Sequence, residues 1–145
     1  MVRCVADASI VVKWFLEEDF SGDARRLRDD YASDLIELDA PAILPFEVLN
    51  AAKYARVFSA DELRQVAEAL DAFAIPTHPL EGDLALAAVD ISSSTKLTVY
   101  DASYVALARE LDATLYTADS TILAATKRMK HAAHIETYRT PLENL

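Results

Sequence analysis

The chain is poor in glycine: only Gly22 and Gly82 occur in 145 residues. That excludes the glycine-rich loops that cradle dinucleotides or nucleotide phosphates, which need paired glycines to bring backbone N–H groups onto phosphate. Cysteine is limited to Cys4, so neither an intrachain disulfide nor a cysteine zinc cage is possible. Set in an apolar stretch, this thiol reads as an inert core residue. No apolar run approaches the roughly 20 residues of a membrane-spanning helix. Asp7 interrupts the first apolar stretch and Lys13 the second, which does not suit a secretory leader, and a cytoplasmic protein with no membrane partner is expected. Positive charge is also scarce, with 14 Lys and Arg against 24 Asp and Glu and a net charge of −10. A protein that coats nucleic acid needs the opposite balance, because such binding displaces counterions with cations. An enzyme that touches nucleic acid locally is not excluded. No glycine-flanked serine elbow occurs, so serine-hydrolase chemistry has no support.

What is present is a globular composition, 52% apolar and 26% charged, long enough for one domain over residues 1–145 with a single core. Short apolar runs alternate with helical periodicity. The pattern predicts strands at Val2–Ala6, Leu38–Ala40, Ala74–His78, Ala113–Thr117 and His134–Thr137. Between them it predicts helices at Ser9–Leu16, Ser21–Ala32, Ile43–Phe58, Asp83–Ser92, Asp101–Leu111 and Asp119–Met129. A further helix carrying Leu63, Val66, Leu70 and Phe73 on one face opens at Ser59–Glu62, a capping box. Ser92–Thr95 reads as a polar exit loop. Strands alternating with helices define an α/β fold, a parallel sheet flanked by helices on both faces.

Chemistry in such sheets sits outside the carboxyl ends of the strands, where strand order reverses. Asp7 ends the first strand, Asp119 follows the Ala113–Thr117 strand, and Asp101 opens a helix. Each of these aspartates also suits a plain helix N-cap. Glu47 shares a helix face with Ile43, Leu44 and Ala51, where a lone carboxylate is costly to bury; it could instead bend to solvent or pair with Lys53. Capping stabilises by about 1 kcal/mol, whereas two carboxylates about 4 Å apart repel by about 4 kcal/mol at an effective dielectric near 20. If the four converge, a cation must offset the repulsion or a proton must stay. Oxygen-only ligands select hard ions, Mg²⁺ or Mn²⁺ before zinc. That chemistry points to metal-dependent phosphodiester hydrolysis.

At these residues the sequence resembles the PIN-domain family. Val5–Ser9 followed by Lys13–Leu16 is similar to its opening motif, Pro45–Ala51 to its helical acid, Leu97–Ala108 to its third motif and Leu115–Asp119 to its fourth. The motifs keep order and spacing across nearly the whole chain. The compact length is similar to that of VapC-type toxins, the ribonuclease partners of toxin–antitoxin pairs. The resemblance implies Mg²⁺ or Mn²⁺ held by Asp7, Glu47, Asp101 and Asp119, and endonucleolytic cleavage of RNA. It assigns supporting roles to the hydroxyls of Ser9 and Thr117, and makes Asn50 a polar neighbour of Glu47. It also implies a homodimer and an antitoxin protein that lays a peptide over the site.

Lys127, Arg128 and Lys130, with Arg139 beyond, make the C-terminal region locally basic. They either complement a helix dipole in its last turn or contact RNA phosphate. His131 and His134 could share a helical face, but too few nitrogen or sulfur ligands accompany them for zinc. Trp14 and Phe15 read as core or interface residues, with base stacking as the alternative. Two other enzyme or signalling readings fit less well. A receiver-like Mg²⁺-binding signalling domain needs adjacent acids at its first strand, and a haloacid-dehalogenase-like phosphatase needs an acid where Ser9 stands. A PIN-fold protein without catalysis is the remaining alternative.

Overall fold

The computed structural model describes residues 1–141. The elements run β1 (Val2–Ala6), α1 (Ala8–Val11), a 3-10 turn (Val12–Trp14), α2 (Ser21–Ala32), β2 (Ile36–Pro41), α3 (Leu44–Tyr54), α4 (Ala60–Phe73) and β3 (Thr77–His78). They continue with α5 (Gly82–Ser94), α6 (Val99–Glu110), β4 (Thr114–Thr117), α7 (Ser120–Ala125), β5 (Ala132–His134) and a second 3-10 turn (Ile135–Thr137). All strand pairs are parallel, in the order β3-β2-β1-β4-β5. Cys4, Val5 and Ala6 are all buried. Successive strand side chains point to opposite faces, so β1 is covered on both. With this strand order, the right-handed crossovers usual for parallel strands place α1–α4 on one face and α5–α6 on the other. The order therefore reverses between β1 and β4, the crevice where α/β sheets place their chemistry.

Local chemistry explains most boundaries. The capping box holds: Ser59 Oγ accepts from the Glu62 N–H at 3.1 Å and Glu62 Oε1 accepts from the Ser59 N–H at 2.9 Å. Pro45 lies in the first turn of α3, where a missing N–H is tolerated. Trp14 is buried, its Nε1 donates to the Ala24 carbonyl at 2.9 Å and its ring tilts against Phe73, so the core reading holds. Cys4 is buried and its thiol is pushed up to about 12, mainly by burial, which keeps it protonated and inert.

Several predicted boundaries move. The Ala74–His78 strand shrinks to two residues because Ala74 turns left-handed to end α4 and Pro76 has no N–H to pair. α5 runs through the expected Ser92–Thr95 loop. Ser94 and Thr95 donate to the Ile91 carbonyl, so these hydroxyls end the helix rather than replace it. α3 stops at Tyr54, before a left-handed Arg56. α7 stops at Ala125, where Thr126 Oγ1 donates back to the Ile122 carbonyl. The last strand is Ala132–His134, not His134–Thr137, because His134 Nδ1 accepts from the Glu136 N–H and winds the next residues into a 3-10 turn.

Candidate active site

β1 carries Asp7 to the carboxyl edge of the sheet. Asp7 occupies the N-cap position of α1 but makes no side-chain cap hydrogen bond. Its buried carboxylate is held otherwise. Ser9 Oγ donates to Oδ1 at 2.6 Å and Thr117 Oγ1 donates to Oδ2. Both hydroxyls accept in turn from the β4–α7 turn, Ser9 from the Ala118 N–H at 3.1 Å and Thr117 from the Asp119 N–H at 3.0 Å. A hydroxyl has one hydrogen, and each gives it to Asp7. The two strand ends are thus tied together through a single carboxylate. Burial pushes the Asp7 carboxyl from 3.8 up to about 6; the Ser9 and Thr117 hydrogen bonds oppose this and the charge of Asp119 adds to it.

The other three acids come from three further segments. Glu47 is the fourth residue of α3 and half-buried. Tyr104 donates from its hydroxyl to Glu47 Oε1 at 2.6 Å. Lys53 does not pair with Glu47; its ammonium lies 5.8 Å from the centroid of the Tyr54 ring. Asp101 is the third residue of α6, not its cap. Thr98 caps that helix, accepting from the Asp101 N–H at 3.1 Å, so Asp101 keeps its carboxylate for other work beside the positive end of the helix dipole. Asp119 does cap, with Oδ1 accepting from Thr121 and Ile122 N–H at 2.8 and 3.1 Å. Its Oδ2 has no donor among the described residues.

The four carboxylates feel one another. Burial raises the Glu47 carboxyl, the Tyr104 hydrogen bond lowers it and the charge of Asp101 raises it further. Burial and the charge of Asp119 raise Asp101, with the Thr98 hydroxyl opposing. The coupling thus passes from Asp7 to Asp119, from Asp119 to Asp101 and from Asp101 to Glu47. Among the described residues no Lys, Arg or His forms an ion pair with any of the four. Nor is any trio of His, Cys, Asp or Glu there drawn into metal-ligand spacing. The arrangement is a set of acidic oxygen donors near the carboxyl edge of the sheet, and that donor set suits a hard divalent ion by its chemistry.

Some expectations fare differently. Asn50 is exposed one turn beyond Glu47 and makes no hydrogen bond to it. Lys127, Arg128 and Lys130 are exposed but follow α7 rather than closing it, and the last turn of that helix has no basic residue. The dipole account of these cations is therefore removed. His131 and His134 share no helix: one Nδ1 contacts the Ala113 carbonyl at 3.2 Å and the other accepts from the Glu136 N–H at 3.0 Å. Sequence reasoning missed Tyr104. Its signal was available, three residues after Asp101 and so on the same helix face. Beside Glu47 and Asp101, a groove of about 270 Å³ is lined by Phe46, Leu80, Val99 and Tyr100 among others.

The fold and this edge define a doubly wound α/β protein with acidic side chains at its strand ends. The chain belongs to the PIN domain family, whose model matches residues 4–128. No curated protein sequence matches it. Among solved structures, a toxin–antitoxin complex from Klebsiella pneumoniae superposes with a TM-score of 0.68 at 17% identity, covering 91% of this chain and 97% of that one. A protein of Pyrobaculum aerophilum superposes at 0.67 with 23% identity, covering 94% and 85%. VapC20 of Mycobacterium tuberculosis, a Sarcin-Ricin loop cleaving toxin, superposes at 0.65 with 16% identity, covering 84% and 94%. The family membership sets aside the receiver-like and phosphatase readings. No helix among the described residues is long and apolar enough to cross a membrane.

Proposed function

We propose that this PIN domain is a divalent-metal-dependent endoribonuclease and the toxin of a type II toxin–antitoxin pair, acting in the cytoplasm. The observation that carries the reading is the acidic set itself: four carboxylates from β1, α3, α6 and the β4–α7 turn couple electrostatically and none has a cationic partner. Asp7, Glu47, Asp101 and Asp119 would hold Mg²⁺ or Mn²⁺. When bound, such an ion supplies charge neutralisation at phosphate and a water of lowered pKa. The chain's own residues do the rest. Ser9 and Thr117 keep the Asp7 carboxylate oriented by donating one hydrogen each. Asp119 fixes itself by capping α7 with one oxygen and keeps the other available. Lys127, Arg128 and Lys130 stand exposed in the segment after α7 and would meet RNA phosphate.

The same surface suggests the partners. An acidic edge favours an antitoxin segment that carries arginine, through charge-assisted hydrogen bonds to carboxylate. Exposed Phe46, Leu80, Val99 and Tyr100 line one groove and would offer an apolar face to a second copy of the chain. The test is cleavage of a structured RNA by purified protein with Mn²⁺ and with chelator, beside Asp101→Ala. Expected are Mn²⁺-dependent internal cuts absent from the variant, and growth arrest on expression that Asp101→Ala relieves. Equal cleavage by both proteins, or none by either, rejects the reading and leaves a PIN fold without this catalysis.

A further inference from the structure

Tyr104 is almost wholly enclosed and belongs to the hydrophobic core, yet its hydroxyl emerges beside the acidic residues. That hydroxyl has one partner, Glu47 Oε1 at 2.6 Å, and the bond joins α6 to α3 across 57 residues of chain. A carboxylate only accepts, so the phenol donates and Oε1 is occupied. Oε2 is left free of donors among the described residues. Asp101 stands one turn before Tyr104 on the same helix. Tying Glu47 to Tyr104 therefore fixes Glu47 relative to Asp101, two like charges that would otherwise separate. A glutamate has three rotatable bonds and much rotamer freedom to lose. A tyrosine with its ring packed in the core offers a rigid post to hold it. For packing alone phenylalanine would serve as well, so the hydroxyl is the feature that needs a purpose.

We propose that Tyr104 is a positioning residue, which orients the free Glu47 oxygen toward the ion held by the acidic residues. The proposal rests on the metal-dependent reading above. It is tested by Mn²⁺ titration, following free Mn²⁺ by electron paramagnetic resonance, on wild type, Tyr104→Phe, Glu47→Gln and the double variant, with thermal denaturation of each. Groups that orient metal ligands typically contribute about 10- to 100-fold in affinity. The expected result is about a 10-fold weaker Mn²⁺ affinity for Tyr104→Phe, with no further loss when the same change is made in Glu47→Gln. A purely structural role would lower the melting temperature and leave the affinity of the folded protein unchanged, and that outcome overturns the proposal. So do losses that add fully in the double variant. If wild type binds Mn²⁺ and Tyr104→Phe matches it, only the positioning role fails. If folded wild type binds none, the metal-dependent reading fails and this inference with it.

Discussion

Thr117 gives its hydroxyl hydrogen to Oδ2 of Asp7 and takes one from the Asp119 N–H, so a single side chain joins the ends of β1 and β4. The two strands pair directly, and this bond closes the crevice where the strand order reverses. Thr117→Val keeps the shape and removes both functions of the oxygen. A hydrogen bond to a charged group contributes about 1.5–3 kcal/mol. Urea denaturation should show a loss of roughly that size, with Thr117→Ser recovering most of it. A valine variant as stable as wild type would show that the brace carries no weight.

The buried Asp7 carboxyl makes stability pH-dependent. Its folded value is about 6 against 3.8 for the free group. Between those values the folded protein holds the proton and the unfolded chain has lost it. Stability of the metal-free protein should therefore fall from about pH 4 to about pH 6 and level off above, as far as this group decides it. Asp7→Asn removes the charge. It also replaces one accepting oxygen with a donor, so one of the two hydroxyl bonds is lost; that adds a constant offset, and the variant's stability should no longer fall between about pH 4 and about pH 6. Melting curves across that range measure it. A variant that keeps the wild-type fall in stability across this range contradicts the assigned burial cost.

The basic turn after α7 predicts a salt effect. Replacing Lys127, Arg128 and Lys130 with Gln should weaken RNA binding most at low salt. Each lost phosphate contact should reduce the slope of log affinity against log salt by about 0.7 for single strands. The three side chains are all exposed, so melting temperature should stay within about a degree, since such surface changes usually fall within about 0.5 kcal/mol. Unchanged affinity and slope would remove these residues from the RNA interface.

Scarcity of glycine leaves strain at the helix ends. Asp34, Arg56, Ala74 and Asp112 follow α2, α3, α4 and α6 with φ of 58°, 59°, 52° and 49°. Glycine ordinarily takes such left-handed positions, which cost other residues about 1–2 kcal/mol. Ala74→Gly should therefore stabilise the chain, by up to about 1 kcal/mol once the greater freedom of unfolded glycine is counted. A higher urea midpoint with unchanged slope is the expected result, and a lower midpoint contradicts it.

Much of the site was legible because its residues carry local signatures. Asp7 follows a short buried apolar run, Asp119 caps a helix after another, and Glu47 is an acid on an apolar helix face. Asp101 was legible as an acid near a helix start, but not its position inside α6, because Thr98 competes for the cap three residues earlier. Tyr104 was overlooked because an aromatic on a helix face has an ordinary explanation in packing. The end of β4 held and the Ser92–Thr95 loop did not, according to where short hydroxyl side chains found acceptors: the Asp7 carboxylate for Thr117, the Ile91 carbonyl for Ser94 and Thr95, a choice that residue type alone leaves open.

By itself the order of residues determined the alternation of strands and helices, the parallel sheet, the capping box at Ser59 and which four acids are candidates for the site. These follow from periodicity and side-chain chemistry, which act over a few residues at a time. Only the tertiary structure decided that β1 and β4 lie side by side, that Ser9 and Thr117 share one carboxylate, and that Tyr104 reaches Glu47. Those are contacts between segments 57 to 110 residues apart, set by how the crossovers wind around the sheet, and no local pattern encodes the distance between two atoms that meet only once the core has closed.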